Sequence, residues 1–327
     1  MNKTAFVTGA SGFTGGHLAR RLVRDGWKVR VLVRNNGDHK ALKDIGCELI
    51  YGDLCKKASF ADALEGVDVV FHIAACYREE ATRDVFWNVN VEGTRNMLEA
   101  SEVKRVGRFI HCSTVGVHGE IDNPPADEEA PFKPGDAYQE SKLEGEKLAY
   151  QFLKEKRLKG AIFRPVGIYG PGDRRFLKLF KMAKSKITIM IGKGDKLYHL
   201  TFIDDLVDGI LLLAKRDDVN SQIFILGGET YTTLVELLNI IGSVLGKKVK
   251  MMKIPVAPVY GAAYISEKIC SLFHVKPILY RRRLDFFIKD RAFNIDKAKS
   301  IIGYRPKVSL EEGLKKTAEW YKKEGWL

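Results

Sequence analysis

Thr4-Ala5-Phe6-Val7-Thr8-Gly9-Ala10-Ser11-Gly12-Phe13-Thr14-Gly15-Gly16 stands at the start of the chain, and its reading decides the fold. Thr4 to Thr8 is a short, mostly apolar run that reads as a buried strand. His17 to Arg24 reads as helix, with Leu18, Leu22 and Val23 on one face. Between them lies Gly9-x-x-Gly12-x-x-Gly15. Glycines let the backbone approach a pyrophosphate closely. The helix that follows aims its N–H groups and the positive end of its dipole at that anion. In this strand–turn–helix setting the triplet reads as a dinucleotide cradle. Gly9, Ser11, Gly12, Phe13, Thr14 and Gly15 are its candidate cofactor contacts.

Working outward, the alternation continues. Val29–Val33, Glu48–Tyr51, Val67–Ile73 and Arg108–Cys112 read as strands, with helices near Phe60–Leu64 and over Val85–Ser101. Strands alternating with helices predict an α/β fold, a Rossmann-type doubly wound parallel sheet with right-handed crossovers. Residues 116–137 interrupt the rhythm with Gly, Pro and acids, and read as a loop that could act as a site lid. A helix follows over Tyr138–Glu155, then a strand at Ala161–Phe163, helices at Phe176–Lys184 and Asp204–Ala214, and a strand at Gln222–Leu226. Residues 1–172 with about 196–228 are expected to form the dinucleotide-binding domain. About 173–195 with 229–327 would form a smaller substrate lobe. Val256–Phe273 reads as a buried or groove-lining helix. Because Arg281-Arg282-Arg283 follows, a helix lying on a membrane surface is the other reading.

Composition narrows the classes. Of 327 residues, 45% are hydrophobic and 29% charged, enough for a sizeable core. The net charge of +13 suits an anionic partner without choosing one. No run of about 18 apolar residues predicts a spanning helix, and the first residues do not read as a signal peptide. The five cysteines are scattered without a Cys-x-x-Cys pair. A disulfide framework or metal site is therefore not expected, and a reducing cytoplasm is the expected location. Specific nucleic-acid binding has only the charge to support it.

Five further sites carry chemistry. Tyr138-Gln139-Glu140-Ser141-Lys142 places a phenol and an ammonium four residues apart, on one helix face. A phenol with a pKa of about 10 is a poor base at neutral pH, and a neighbouring lysine favours its anion. Tyr138 can then exchange a proton with a substrate alcohol or ketone, and Lys142 can also hold the nicotinamide ribose. Strand five ends Cys112-Ser113-Thr114, so Ser113 or Thr114 could orient the substrate oxygen. Asn90, a polar residue within a helix, could hold a water linking Lys142 to solvent. Arg34, at the end of the second strand, suits a 2′-phosphate and favours NADP(H), with NAD(H) left open. Asp53, in Gly52-Asp53-Leu54, could accept from the adenine amino group.

Together with His72-Ile73-Ala74-Ala75, Asn90-Val91-Glu92-Gly93-Thr94 and Arg164-Pro165-Val166-Gly167-Ile168-Tyr169-Gly170-Pro171-Gly172, these motifs resemble the extended short-chain dehydrogenase/reductase superfamily, which includes the NAD-dependent epimerase/dehydratase family. The resemblance spans essentially the whole chain. It implies a sheet of about seven strands, a C-terminal substrate lobe, a homodimer and a small-molecule substrate. It adds Leu54, Ala74, Ala75 and Pro165 to the cofactor contacts, alongside Tyr138 and Lys142. It also favours Thr114 over Ser113 as the catalytic hydroxyl. Sugar-nucleotide dehydratases of the superfamily follow that Thr with Asp and Glu, whereas Val115 and Gly116 stand here. Gly167, and Tyr198 with His199, replace residues that contact the diphosphate in nucleotide-sugar epimerases. The set looks most like the dihydroflavonol reductase and 3β-hydroxysteroid dehydrogenase-like branch. The resemblance therefore implies an NAD(P)-dependent oxidoreductase interconverting a secondary alcohol and a ketone. The alternatives are a nucleotide-sugar epimerase with tightly held NAD and a non-catalytic, cofactor-binding redox sensor.

Overall fold

The computed structural model describes residues 3–77, 81–272 and 281–327, without the side chains of 271–272 and 281–283. Six strands run in chain order: β1 Thr4–Thr8, β2 Lys28–Val33, β3 Glu48–Tyr51, β4 Val69–His72, β5 Arg108–Cys112 and β6 Gly160–Pro165. After them come β7 Gly167–Tyr169, β8 Thr188–Ile191, β9 Leu197–Phe202, β10 Gln222–Leu226, β11 Tyr231–Thr233 and β12 Met251–Ile254. Seven of these form one parallel sheet in the order β10-β6-β5-β4-β1-β2-β3. The order in which the chain adds strands across the sheet reverses between β1 and β4. That is the switch point at which open α/β sheets take ligands. β9 pairs with β7 and β11 in a separate three-stranded sheet, and β8 pairs with β12.

The helices include α1 Phe13–Arg24, α2 Lys40–Asp44, α3 Arg83–Trp87, α4 Gly93–Val103, α5 Ala137–Lys154, α6 Leu177–Lys184, α7 Ile203–Lys215 and α8 Leu234–Val244. Toward the C-terminus lie α9 Val256–Leu272, α10 Arg281–Ile288, α11 Asp296–Ile302 and α12 Leu310–Lys323. The sheet is buried on both faces, which is why its strands read as continuous apolar runs. Phe6, Val70, Phe109 and Ile162 pack with Met97 and Leu98 of α4 and Phe152 of α5. Their neighbours Val7, Phe71, Ile110 and Phe163 pack on the other side with Leu18 of α1 and Ile210 of α7.

Several expectations need correction. The helix near Phe60–Leu64 is two 3₁₀ turns, Lys57–Ser59 and Ala61–Leu64. The helix over Val85–Ser101 is α3 and α4 joined through a π-turn at Asn88–Glu92. The loop 116–137 is pinned rather than free. Ile121 and Ala126 donate backbone bonds to Asp290 and Ala292, and the Glu128 carboxylate accepts from Ile225 N–H at 2.7 Å. Helix α9 is not buried: among its described side chains only Ala263 is inaccessible. Its apolar sequence suggested burial, but most of its described positions are exposed or half-buried. Arg281, Arg282 and Arg283 open α10, and their side chains lie outside the described residues.

Register places Thr8, His72 and His111 in one row across β1, β4 and β5. Thr8 Oγ1 accepts from the N–H groups of Ile73 and Ala74, at 3.1 and 3.0 Å. Its own proton is therefore left for His72 Nδ1 at 3.0 Å. His72 is thereby assigned the Nε2–H tautomer and donates to Thr94 Oγ1 at 3.0 Å. Thr94 in turn donates to the Asn90 carbonyl at 2.7 Å. Burial pushes the His72 imidazole down to about 3. A histidine depressed below its ordinary 6.5 contributes stability that is complete above pH 6.5 and is lost as pH falls from 6.5 toward 3. Urea unfolding between pH 7 and pH 5 should therefore show falling stability. His72→Gln should flatten that slope by up to about 1.4 kcal/mol per pH unit, a limit approached near pH 5; equal slopes would remove His72 as a source of acid lability.

Candidate active site

The cradle has the form its spacing implied. Gly12 precedes α1 with extended backbone, and its N–H donates to the Gly9 carbonyl at 2.9 Å. A Cβ on Gly15 would lie 2.3 Å from that carbonyl oxygen, so only glycine lets the helix start here. Ser11 and Gly12 are exposed, Phe13 and Thr14 half-buried, and no acid occupies the first turn of α1. An anion-binding helix start remains open to a dinucleotide pyrophosphate, so the residues present fit the group.

Around the cradle, Arg34 is exposed just beyond β2, and its carbonyl accepts from His39 Nε2 at 2.7 Å. Its charge reaches Cys55, beside Asp53. Asp53 Oδ1 accepts from Cys55 N–H at 2.9 Å, so one of its oxygens serves the local turn. Leu54 is buried against Gly93. Ala74 and Ala75 follow β4, Ala74 held by Thr8. Pro165 is buried at the end of β6.

Tyr138, Lys142 and Glu146 fall on one face of α5 at successive four-residue steps. Asp136 caps this helix by accepting from Gln139 N–H at 2.9 Å. Lys142 is buried, and its ammonium donates to the Cys112 carbonyl at 2.5 Å, fastening the helix to the end of β5. Burial pulls its pKa down. Glu146 takes both forks of the buried Arg164 guanidinium, at 2.9 and 2.6 Å. Arg164 also donates to the Glu128 carbonyl at 2.8 Å and to His118 Nε2 at 2.9 Å. A buried pair of this kind tolerates no loss of one partner. It fixes how α5 sits on β6 and on the pinned loop.

One electrostatic finding departs from expectation, and Asn90 gains a structural role. Lys142 was expected to draw the Tyr138 phenol down. Burial instead pushes that phenol up, the Cys112 thiol adds to the effect, and the cation that opposes it is Arg175. Arg175 donates to Asp173 Oδ1 at 2.9 Å and to the Ile168 carbonyl at 3.1 Å, and lies over the Phe13 ring at 5.9 Å. It links the cradle to the Arg164–Gly172 segment. Asn90 is buried and its amide is fully engaged, accepting from Cys76 N–H at 2.8 Å and donating to Cys76 O and to Ser141 Oγ at 3.0 and 2.9 Å. With both amide protons used, it works as a bracket between the β4 exit and α5. The π-turn presents it there, a common use of such turns.

Both candidate hydroxyls stand at the end of β5. Thr114 is half-buried, and its Oγ1 accepts from Gly116 N–H at 3.0 Å, leaving its proton available to a substrate oxygen. Ser113 Oγ is buried without a hydrogen-bond partner among the described residues. Arg175, Thr8, Thr94, Ser141 and Glu146 escaped the sequence reading. A composition or period search does not mark them, because the contacts that give them their place (Thr8 and Thr94 with His72, Ser141 with Asn90, Glu146 with Arg164, Arg175 with Phe13) join residues distant in the chain.

Relatives cover nearly the whole chain. Over 97% of this chain and 90% of its own length, the mouse (Mus musculus) sterol-4-alpha-carboxylate 3-dehydrogenase, decarboxylating, is 28% identical. The Arabidopsis thaliana 3beta-hydroxysteroid-dehydrogenase/decarboxylase isoform 1 is 29% identical over 96% of this chain and 78% of its own. Among solved structures, gox2253 superposes with a TM-score of 0.85 at 29% identity, covering all of both chains. DesIV, a dTDP-glucose 4,6-dehydratase from Streptomyces venezuelae solved with NAD and TYD bound, gives 0.79 at 26% identity over 99% of this chain and 98% of its own. The model of the NAD dependent epimerase/dehydratase family matches residues 5–227, from β1 to the end of β10, and the chain belongs to that family.

Proposed function

We propose that this protein is an NAD(P)-dependent oxidoreductase that interconverts a secondary alcohol and a ketone. The observation that carries the reading is the joint of α5 and β5. There Lys142 is fixed to the Cys112 carbonyl, one turn from Tyr138 and beside the Ser113–Thr114 hydroxyls. When bound, a nicotinamide cofactor supplies or accepts the hydride. Phe13, Thr14 and the start of α1 would hold its pyrophosphate, and Tyr138 with Lys142 its nicotinamide ribose. Thr114 donates a hydrogen bond to the substrate oxygen, with Ser113 behind it. Tyr138 Oη gives that oxygen a proton in the reductive direction and removes one in the oxidative direction. Burial keeps the phenol protonated, so the proton needed in reduction is held at Tyr138 Oη. In oxidation the Arg175 charge helps it to release its proton. Residues 173–195 and 229–327 are proposed to cover the substrate. Arg34 favours NADP(H) over NAD(H), because its guanidinium suits a 2′-phosphate.

Three outcomes test the reading. Tyr138→Phe should lower turnover by about a hundredfold or more with cofactor affinity nearly unchanged; retained activity would sink the assignment. Arg175→Gln removes a charge that draws the phenol down, so the pH midpoint of the oxidative rate should move to higher pH. An unmoved midpoint would leave Arg175 without a catalytic effect. Thermal unfolding should show a larger upward shift with NADP(H) than with NAD(H), and Arg34→Ala should erase the difference. A protein that purifies with NAD bound and shows no net cofactor turnover is an epimerase instead.

A further inference from the structure

Exposed apolar side chains are not spread evenly over this molecule. Half of the exposed large hydrophobic residues among those described belong to one structural unit, the β8–β12 ribbon and the helix α9 that follows it. Ile187 leads into β8 and is 57% exposed. Ile189 and Met252 are register partners across the ribbon, and both face outward. On α9, Tyr264, Ile265 and Ile269 are exposed, Ile265 at 58%. Isoleucine is among the residues most often buried, so a cluster of four in solvent marks a contact surface.

Charge identifies what the surface contacts. Residues 184–194 and 247–270, which carry the ribbon and most of α9, contain eight lysines and a single acid, Glu267. That is more than half of the chain's net +13, concentrated around the apolar residues. Lys186, Lys248, Lys250, Lys253 and Lys268 are all exposed. A second copy of the chain is a poor fit. A two-fold contact through this face would set lysines against their own counterparts. A surface that is anionic outside and apolar just beneath satisfies both features at once. Lysines meet phosphates while isoleucine and tyrosine enter the boundary between headgroups and acyl chains. None of the described helices is long and apolar enough to cross a membrane, so the contact is peripheral.

We propose that the face formed by β8, β12 and α9 docks this protein on an anionic phospholipid surface. The proposal is independent of the reaction assigned above. Its test is co-sedimentation of the full chain with vesicles of phosphatidylcholine alone and of phosphatidylcholine with about 30 mol% phosphatidylglycerol, at ~0.1 M and ~0.5 M salt. Binding should be about tenfold or more stronger to the anionic vesicles, and should weaken at the higher salt. The pair Ile265→Glu and Ile269→Glu lies on exposed positions, so its thermal midpoint should match the parent while its vesicle binding falls about tenfold. Lys248→Glu with Lys250→Glu should do the same through charge alone. Failure to bind anionic vesicles would overturn the proposal, as would binding untouched by either pair. So would sedimentation velocity showing a dimer that the isoleucine substitutions dissociate, in a parent that ignores vesicles.

Discussion

The site depends on a run of hydrogen bonds that never leaves the interior. From the Ile73 and Ala74 amides it passes through Thr8, His72 and Thr94 to the Asn90 carbonyl. The Asn90 amide continues it to Ser141, the neighbour of Lys142. Every donor proton that this chain of bonds needs is supplied once, and a neutral His72 is the only state that satisfies it. The strand carrying the glycine cradle and the helix carrying the phenol are thus set relative to each other by polar contacts with fixed direction. Apolar packing alone would let those elements slide.

Close approach of backbones makes this possible. A Cβ on Gly145 would lie 2.4 Å from the Asn90 carbonyl, so α5 can press against the π-turn only because residue 145 has none. The Glu146–Arg164 pair, one residue on, then ties the same helix to β6 and, through Glu128 and His118, to the loop over residues 116–137. Helix α5 is held at three points along one face: Lys142 on β5, Glu146 on β6 and Ser141 on Asn90. Catalytic geometry in this protein is a property of the helix's supports as much as of its two reactive residues.

The cradle and the Tyr138–Lys142 spacing were legible because each is a local pattern whose geometry follows from one turn or one helix. The seven-stranded sheet was legible because burial of both faces leaves long apolar runs. The supports were not legible. Thr8 and His72 are 64 residues apart and Asn90 and Ser141 are 51 apart, and no local rule pairs them. Arg175 follows an irregular turn, and its importance lies in what it faces. Helix α9 misled for a different reason: hydrophobicity states that a segment seeks an apolar partner without stating whether the partner belongs to the same chain.

Glu128 has one more consequence. β10 is the outer strand of the large sheet, and an outer strand presents unpaired amides to any extended chain that drifts past. The Glu128 carboxylate occupies the Ile225 amide with a 2.7 Å bond and brings its own loop over that border. The same acid that helps anchor the loop above the site therefore takes one edge amide away from any strand that would add there, one of the ways in which sheet edges are covered.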